Sequence, residues 1–451
     1  MKSLFSRISG LRDDEERLSK RITRNFQEGY WTVRGFMITD SRSAGEEVEV
    51  FEDANEGFNM MKNRIRLAAT GDFEQDPPDS DPLSTFDVSI TSLSLSPTSR
   101  YLSLGRSDGS CFILKTGTES FASFLGKDVL SEGDGNTFKN FYRFVREGGT
   151  SDDEDPEDPG TDKSTPFEIV AQFQHDKSIT SITNLNEDTF ITGDISGNIF
   201  QLKIEEVEGH IKYGEVIKGL KSVDDKLIVL SESEVESMIA VFALPLGDGE
   251  EPLKEWRGEK GMEYLSVTDE KIFTATEEVI SVFDMNLNEL HSFKPHSPVS
   301  KITALHAIQS DPDMRSTDEE ESCVVSGTDG GVLLQHQILK TEGGVRHWPV
   351  LGNQRMKRKA HTFKTSNSPI TAIIGSWSKI ITCDALGTVR FFSSNKGGEC
   401  LYTMDGLEEC DCLDLRGDVM VSNGMERGFV CLHDFGAIDA EIDFGEVDYL
   451  D

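Results

Sequence analysis

The stretch Ser107-Asp108-Gly109-Ser110-Cys111-Phe112-Ile113-Leu114 joins a polar turn to an apolar strand, and the chain contains seven copies of this pattern. Strong copies begin at Ile195, Thr328, Ala385 and Glu426, and two copies without the glycine begin at Val235 and Thr276. Three of the six steps between successive copies are 40 or 41 residues long, and the other three are longer. The sequence is therefore that of a repeat protein, with a unit of about forty residues that insertions interrupt in places.

Each copy follows a short apolar strand, and four copies are preceded by a further strand in which apolar and polar residues alternate. These alternating strands cover residues 88–93, 178–182, 300–305 and 369–374. Period-2 alternation rich in β-branched residues, punctuated by Gly and Asp, is typical of antiparallel strands joined by tight turns. Four strands in a unit of roughly 40–45 residues indicate a propeller blade. The sequence predicts an all-β fold, a seven-bladed β-propeller of four-stranded antiparallel blades.

The repeated turn requires a residue that tolerates positive φ or a close approach of the backbone, which favours glycine. We expect this role at five glycines: Gly109, Gly197, Gly330, Gly387 and Gly428. Alignment of the two weaker copies places Ser237 and Glu278 at the same turn position.

Residues 95–109, which read LSPTSRYLSLGRSDG, resemble a blade of the WD-repeat β-propeller family, and the resemblance extends over about residues 85–444. The chain departs from the family pattern because no blade ends in Trp-Asp. The Gly-His that opens a family blade survives only as Gln174-His175 and Pro295-His296. The resemblance implies a scaffold that binds other proteins. It also implies that the family's buried His, Ser/Thr, Asp and Trp network is mostly absent, so that apolar packing between blades must supply rigidity.

The predicted domains are an N-terminal extension over 1–83, the propeller over 84–444 and an acidic tail over 445–451. Within the extension we expect a charged helix, an apolar run at 29–39 and an acidic linker. The apolar run is interpreted as a flap packed on the propeller, with a docking strand for a partner as the alternative. A strand at 440–444 is predicted to complete the last blade and close the ring, and a strand before residue 85, for example residues 48–51, competes for that place.

Three insertions account for the longer steps: an acidic one at 117–166, an acidic one at 309–321 and a basic one at 340–358. By strand parity we expect all three on one face of the disc. Acidic residues follow three hydroxyl side chains that an acidophilic kinase is predicted to modify: Ser151, Ser316 and Thr317. We hypothesise that phosphate there strengthens a contact with a basic run and masks it from partners. The residues of that possible basic contact are Arg355, Lys357, Arg358 and Lys359, with a solvated loop or a nuclear import signal as alternatives.

Composition limits the classes of partner. The formal charge of −36, from 81 acidic and 45 basic residues, opposes binding to nucleic acid or to an anionic membrane surface. No stretch approaches the ~20 apolar residues of a membrane span. Seven dispersed cysteines predict reduced thiols in an intracellular protein, cytoplasmic or nuclear. We expect a monomeric propeller within a complex of other proteins.

Motifs with chemistry are few. Residues 105–109 match the nucleophile pattern G-x-S-x-G, but they lie between two predicted strands where that motif needs a helix. Cys410 and Cys412 are interpreted as core thiols, and His175 and His296 as structural hydrogen-bonding groups. The sequence therefore predicts no catalytic residue, no metal site and no cofactor.

Two functions remain open. The first is a non-enzymatic scaffold for protein–protein interaction. The alternative is an enzyme or small-molecule binder that uses the central channel. Converging His, Asp, Glu or Arg side chains at the channel mouth favour the second function, and a mixed rim with apolar patches favours the first.

Overall fold

The structure is a computed structural model. It describes residues 32–41, 45–51, 88–117, 167–204, 206–295, 300–309, 321–341, 344–349, 362–364, 367–375, 379–393, 400–404, 410–416, 419–424 and 426–434. Thirty strands occupy this part of the chain, and they form seven separate antiparallel sheets. The predicted all-β fold with seven blades is confirmed.

The strands are numbered along the chain. Two precede the repeats: β1 (Thr32–Ser41) and β2 (Gly45–Phe51). Blade 1 consists of β3 (Ile90–Leu95), β4 (Tyr101–Arg106), β5 (Ser110–Lys115) and β6 (Ile169–Gln174). Blade 2 consists of β7 (Ile179–Asn184), β8 (Thr189–Asp194), β9 (Asn198–Lys203) and β10 (Glu206–Lys212). Blade 3 consists of β11 (Val216–Val223), β12 (Lys226–Glu232), β13 (Glu236–Ala243) and β14 (Lys254–Glu259).

Blade 4 consists of β15 (Tyr264–Val267), β16 (Lys271–Ala275), β17 (Ile280–Asp284) and β18 (Glu289–Phe293). Blade 5 consists of β19 (Ile302–Gln309), β20 (Glu321–Thr328), β21 (Val332–Thr341), β22 (Gly344–Pro349) and β23 (Thr362–Lys364). Blade 6 consists of β24 (Ile370–Gly375), β25 (Lys379–Asp384), β26 (Val389–Ser393) and β27 (Cys400–Met404). Blade 7 contains β28 (Leu413–Arg416), β29 (Val419–Gly424) and β30 (Glu426–Asp434).

The first strand of each blade is the inner strand. Inner strands contact one another in the ring order β3, β7, β11, β15, β19, β24, β28 and back to β3, so they surround a central channel. Turns between second and third strands lie on one side of the disc, which we call the turn face. Connections between first and second strands lie on the other side, which we call the insertion face.

Ring closure uses a strand from before residue 85, which was the competing prediction. β1 pairs antiparallel with β30, with Thr32 opposite Asp434, and so supplies the fourth strand of blade 7. β2 pairs with β1 as a fifth strand, so residues 48–51 do not hold the closing position. The predicted closing strand at 440–444 lies outside the described residues. The apolar run of the N-terminal region is therefore part of the propeller sheet, and both the flap and the docking-strand interpretations were wrong.

Apolar packing between neighbouring blades forms the core, as the sequence predicted. One cluster joins Leu95 and Leu104 of blade 1 to Val421 and Leu432 of blade 7, and other clusters join blades 1 to 2, 2 to 3, 3 to 4, 4 to 5 and 5 to 6. Burial of such aliphatic side chains stabilises each inter-blade contact.

Hydroxyl groups link the inner strands across blades. Thr180 Oγ1 donates to the Ile217 carbonyl at 2.6 Å, and Thr371 Oγ1 donates to the Cys410 carbonyl at 2.6 Å. In the other direction, Ser181 Oγ accepts the Leu220 N–H at 3.0 Å. These links account for the repeated Thr-Ser or Thr-Ala pairs in the alternating strands, because the hydroxyls satisfy backbone groups that no strand partner reaches.

Candidate functional site

Register places seven residues of the inner strands at the same height in the channel. In each blade the residue lies opposite the equivalent position of the second strand, for example Ser94 opposite Ser103, Lys221 opposite Ile228 and His306 opposite Val325. We call this ring the belt, and its members are Ser94, Thr183, Lys221, Ser266, His306, Ile374 and Asp414. The belt lies closer to the insertion face than to the turn face, because the inner strands end shortly after it.

Belt side chains reach the following blade. Ser266 Oγ accepts the Ala307 N–H at 2.8 Å. His306 Nε2 donates to the Gly375 carbonyl at 3.1 Å. One Asp414 carboxylate oxygen accepts the Leu95 N–H at 2.7 Å across the junction of blades 7 and 1. Six of the seven belt residues are polar, with Ile374 the exception. In blades 4, 5 and 7 the belt side chain bonds the backbone of the residue that follows the belt position in the next blade.

Lys221 is the cation of the belt, and its side chain is exposed to the channel. The surrounding strands remove much of the bulk water, and this burial lowers the pKa of Lys221 below its usual range. The negative charge of Asp414 raises the pKa of Lys221 and the positive charge of Arg416 lowers it further, so these two residues of β28 act on the lysine across the channel.

His306 adds a second titratable group to the belt. Burial, followed by the charge of Lys221, lowers the pKa of His306 to about 4. The imidazole is therefore neutral near pH 7, and its proton is on Nε2 because that atom faces a carbonyl.

The turn-face mouth of the channel contains a cavity of about 530 Å³ between blades 7, 1 and 2. Its lining is mainly hydroxyl and backbone groups with one carboxylate, and includes Ser89, Thr91, Ser178, Thr180, Asp411 and Asn423. The Asn423 side chain organises this mouth: its Oδ1 accepts the Asp411 and Cys412 N–H groups at 3.1 and 2.8 Å, and its Nδ2 donates to Asp411 Oδ1 at 2.6 Å. The mouth is a rigid polar rim.

His175 belongs to a buried network within blade 2. Its Nδ1 lies 3.2 Å from Asp194 Oδ2, and its Nε2 lies 2.8 Å from Thr192 Oγ1. Burial lowers the pKa of His175, with Asp194 acting in the opposite direction. Phe200 packs edge-on against the imidazole at 4.7 Å. The predicted structural role of His175 is confirmed, whereas His296 lies outside the described residues.

Four of the five predicted turn glycines have positive φ: 88° at Gly109, 81° at Gly197, 75° at Gly387 and 81° at Gly428. The prediction was wrong at Gly330, because the left-handed residue of that turn is Gly331, with φ 71°. The Gly331 N–H donates to Thr328 O as the Gly109 N–H donates to Arg106 O, so the alignment was shifted by one residue where two glycines are adjacent.

One of the two glycine-free copies also differs from the alignment. Ser237 lies inside β13, opposite Glu232, and not in the preceding turn. Its Oγ accepts the N–H groups of Gly261 and Met262, both at 3.1 Å, and so fixes the start of blade 4. Glu278 does lie in its turn, where it forms an ion pair with Lys294 at 2.6 Å.

The insertions are placed as follows. The two acidic insertions connect β5 to β6 and β19 to β20, and both connections start from the insertion face. The basic one differs from the prediction, because β22 and β23 both pair with β21 and together form an interrupted fourth strand. The chain leaves at Pro349, opposite His336, and returns at Thr362, opposite Leu334, so this insertion starts from the outer edge of blade 5. The basic contact and phosphorylation residues predicted above lie outside the described residues: Arg355, Lys357, Arg358, Lys359, Ser151, Ser316 and Thr317.

All seven cysteines are free thiols. Cys410 is buried and Cys412 is half-buried, with its Sγ donating to the Thr91 carbonyl at 3.3 Å, which agrees with their interpretation as core thiols. Among the residues that the structure describes, no group of three or more His, Cys, Asp or Glu side chains is arranged to hold a metal ion. Within the same residues, no helix is both long enough and apolar enough to cross a membrane.

The turn face exposes large apolar side chains. Ile195, Val235 and Leu386 are 43%, 78% and 69% exposed, and each lies in a turn between the second and third strands of its blade. Blades 2 and 3 carry the first two residues and blade 6 carries the third, so they flank the channel mouth on both sides.

Sequence reasoning missed the belt, although the signal was present. In all seven blades the belt residue directly follows a buried or half-buried Leu or Ile in the inner strand, as in Leu220-Lys221 and Leu305-His306. Aligning the inner strands on this apolar residue places all the polar belt groups in one column.

Comparison with known proteins identifies no family for this chain. No family model matches the chain, and no curated protein matches it. Among solved structures, the chain is similar to a computationally designed protein, Ika8, with 15% sequence identity and a TM-score of 0.45. This similarity covers 77% of the present chain and 96% of the designed chain. Identity this low carries no information about function.

Proposed function

We propose that this protein is a non-enzymatic scaffold that binds other proteins through the turn face of its propeller. The observation that carries the proposal is the exposure of Ile195, Val235 and Leu386 at the tips of three turns on that face. Apolar anchors surrounded by polar groups are what a protein partner can bury in a recognition surface.

Two of these anchors are held in fixed geometry. The Asp194 side chain accepts the Ser196 and Asn198 N–H groups, both at 2.9 Å, and so caps the turn that carries Ile195. The Asp384 side chain accepts the Leu386 and Thr388 N–H groups, both at 3.1 Å, and caps the second turn in the same way. A preorganised anchor loses little conformational entropy on binding.

Ion pairs give the turn face a polar rim. Lys301 Nζ lies 2.7 Å from a Glu277 carboxylate oxygen, and Lys294 Nζ lies 2.6 Å from Glu278 Oε2. All four side chains are exposed, so we assign these pairs to partner selection rather than to stability of the fold.

The resemblance to WD-repeat propellers supports the same function, because propellers commonly mediate protein interactions. We extend the proposal to a monomeric propeller that acts inside the cell as one subunit of a complex. The excess of acidic residues in the chain favours partners with basic surfaces.

The proposal is tested by replacing the three anchors with aspartate and comparing the proteins that co-purify. The control is Leu253→Asp, because Leu253 is 54% exposed but precedes β14 on the opposite side of the disc. We expect the triple variant to lose partners that the wild type and the control retain, measured by quantitative mass spectrometry. Identical partner sets for all three proteins would refute a turn-face binding role.

A further inference from the structure

Two lysines of the same inner strand, three residues apart, differ in their surroundings. Lys218 Nζ forms an ion pair with Glu263 Oε2 at 2.8 Å and approaches Glu232 Oε1 at 3.9 Å. The Lys221 ammonium group forms no hydrogen bond or ion pair with any residue that the structure describes. The Lys221 side chain is exposed to the channel that the seven inner strands surround.

The acid of the belt is already engaged. Asp414 Oδ2 accepts the Leu95 N–H at 2.7 Å, and Asp414 Oδ1 accepts the Leu415 N–H at 2.9 Å. Because its carboxylate satisfies backbone groups of two blades, Asp414 acts on Lys221 through space and does not bind it directly. The lysine therefore keeps its three donor protons for another acceptor.

A second cation lies on the inner strand that carries Asp414. Arg416 lies two residues beyond Asp414 on β28, its side chain is 43% exposed, and its Nε reaches Asp414 Oδ2 only at 3.9 Å. The guanidinium group thus retains donors that this weak ion pair does not use. Because Arg416 is two residues from Asp414 in the same strand, both side chains lie on the same face of β28, and Arg416 is one position nearer the insertion face in that row.

We propose that the channel binds a small phosphate-bearing anion between Lys221 and Arg416 at the level of the belt. This function is independent of the protein-binding role of the turn face. An ammonium group without a protein partner, in a channel that restricts water, gains an acceptor and a counter-charge when an oxyanion binds.

The surroundings limit the ligand to a small anion. His306 is neutral and adds no third positive charge, while Asp414 remains negative within the belt. The chain as a whole carries a formal charge of −36, which repels extended polyanions such as nucleic acids. Inorganic phosphate and a small phosphorylated metabolite share the required chemistry.

The experiment is isothermal titration calorimetry of the full chain at pH 7 with inorganic phosphate and, separately, with glucose 6-phosphate. Sodium chloride keeps the ionic strength constant, so that general screening does not change between titrations. Tighter binding of glucose 6-phosphate would indicate a phosphorylated metabolite, and tighter binding of phosphate would indicate the free ion.

Lys221→Met keeps the aliphatic part of the side chain and removes its charge. We expect this variant to bind either probe about 10- to 100-fold more weakly, which is the effect of losing hydrogen bonds to a charged group. Lys218→Met is the matched control, and we expect its affinity to stay within about twofold of the wild type, because Lys218 is already paired.

Arg416→Met provides an independent test, with an expected loss of about tenfold. Circular dichroism establishes that each variant retains its β structure before titration. Equal affinities for the wild type and Lys221→Met, or no heat from the wild type with either probe at millimolar concentration, would overturn the proposal. An equal loss in Lys218→Met and Lys221→Met would overturn it as well, since the effect would then be general electrostatics.

Discussion

We expect the buried imidazole of His433 to make the stability of this propeller sensitive to acid. The imidazole lies buried in β30, where its Nε2 contacts Ser422 Oγ at 3.1 Å. Burial lowers the pKa of His433 from 6.5 to about 3. Replacement by Gln keeps a side chain with hydrogen-bonding groups and removes the titration, so His433→Gln isolates the contribution of this single group.

The magnitude follows from the two pKa values. Between 6.5 and about 3 the unfolded chain binds a proton at His433 that the folded chain does not, so falling pH stabilises the unfolded state. From pH 7 to pH 5 this difference amounts to about 2 kcal/mol. The figure is set almost entirely by the unfolded-state pKa, because at pH 5 the folded-state imidazole is still neutral.

The assay is urea denaturation at pH 7, 6 and 5, followed by circular dichroism and tryptophan fluorescence so that coincident transitions justify a two-state treatment. We expect the free energy of unfolding to fall by about 2 kcal/mol less in His433→Gln than in the wild type over this range. His210→Gln is the control, because His210 is exposed on β10, and we expect it to follow the wild type. A variant at 433 with the wild-type pH dependence would refute the reasoning.

Three further predictions concern the architecture. Gly331→Ala should lower the free energy of unfolding by about 1–2 kcal/mol because the φ of Gly331 is 71°. Gly330→Ala should change it by no more than about 0.5 kcal/mol, because the nearest atom to the new Cβ is 3.9 Å away. Equal shifts of the two variants in thermal denaturation would contradict the reassigned turn. Thr371→Val removes the bond to Cys410 O and should cost about 1 kcal/mol in urea denaturation; an unchanged midpoint would argue against the inter-blade link. A chain without residues 1–51 lacks β1 and exposes the edge of β30, so size-exclusion chromatography should show that the chains associate. A monomer with wild-type stability would contradict closure of the ring by β1.

The repeat, the class of fold and the number of blades followed from the sequence because they rest on local chemistry. A tight turn selects glycine, as at Gly109 and Gly197, and a strand with one face against a neighbouring blade selects alternating apolar residues. The same local chemistry limits accuracy where it is degenerate. Adjacent glycines at 330 and 331 both satisfy the pattern, and only the backbone conformation distinguishes them.

The candidate site was not accessible in the same way. Lys221, His306 and Asp414 come from three blades, and they share a height in the channel only because each inner strand has its own register with its second strand, including the bulges after Ile217 and Ile302. Sequence spacing between blades varies with the insertions, so the spacing does not encode this alignment, and only the Leu or Ile that precedes each belt residue marks it in the sequence.

The sequence by itself determined that this protein is a ring of seven similar sheets, since strands and turns depend on neighbouring residues. The tertiary structure decided how the ring closes and which polar groups meet in the channel. β1 pairs with β30 at the other end of the chain, and Asp414 binds the backbone of blade 1 across that closure. Such contacts join residues that are hundreds of positions apart in sequence, and only the packing of complete blades brings them together.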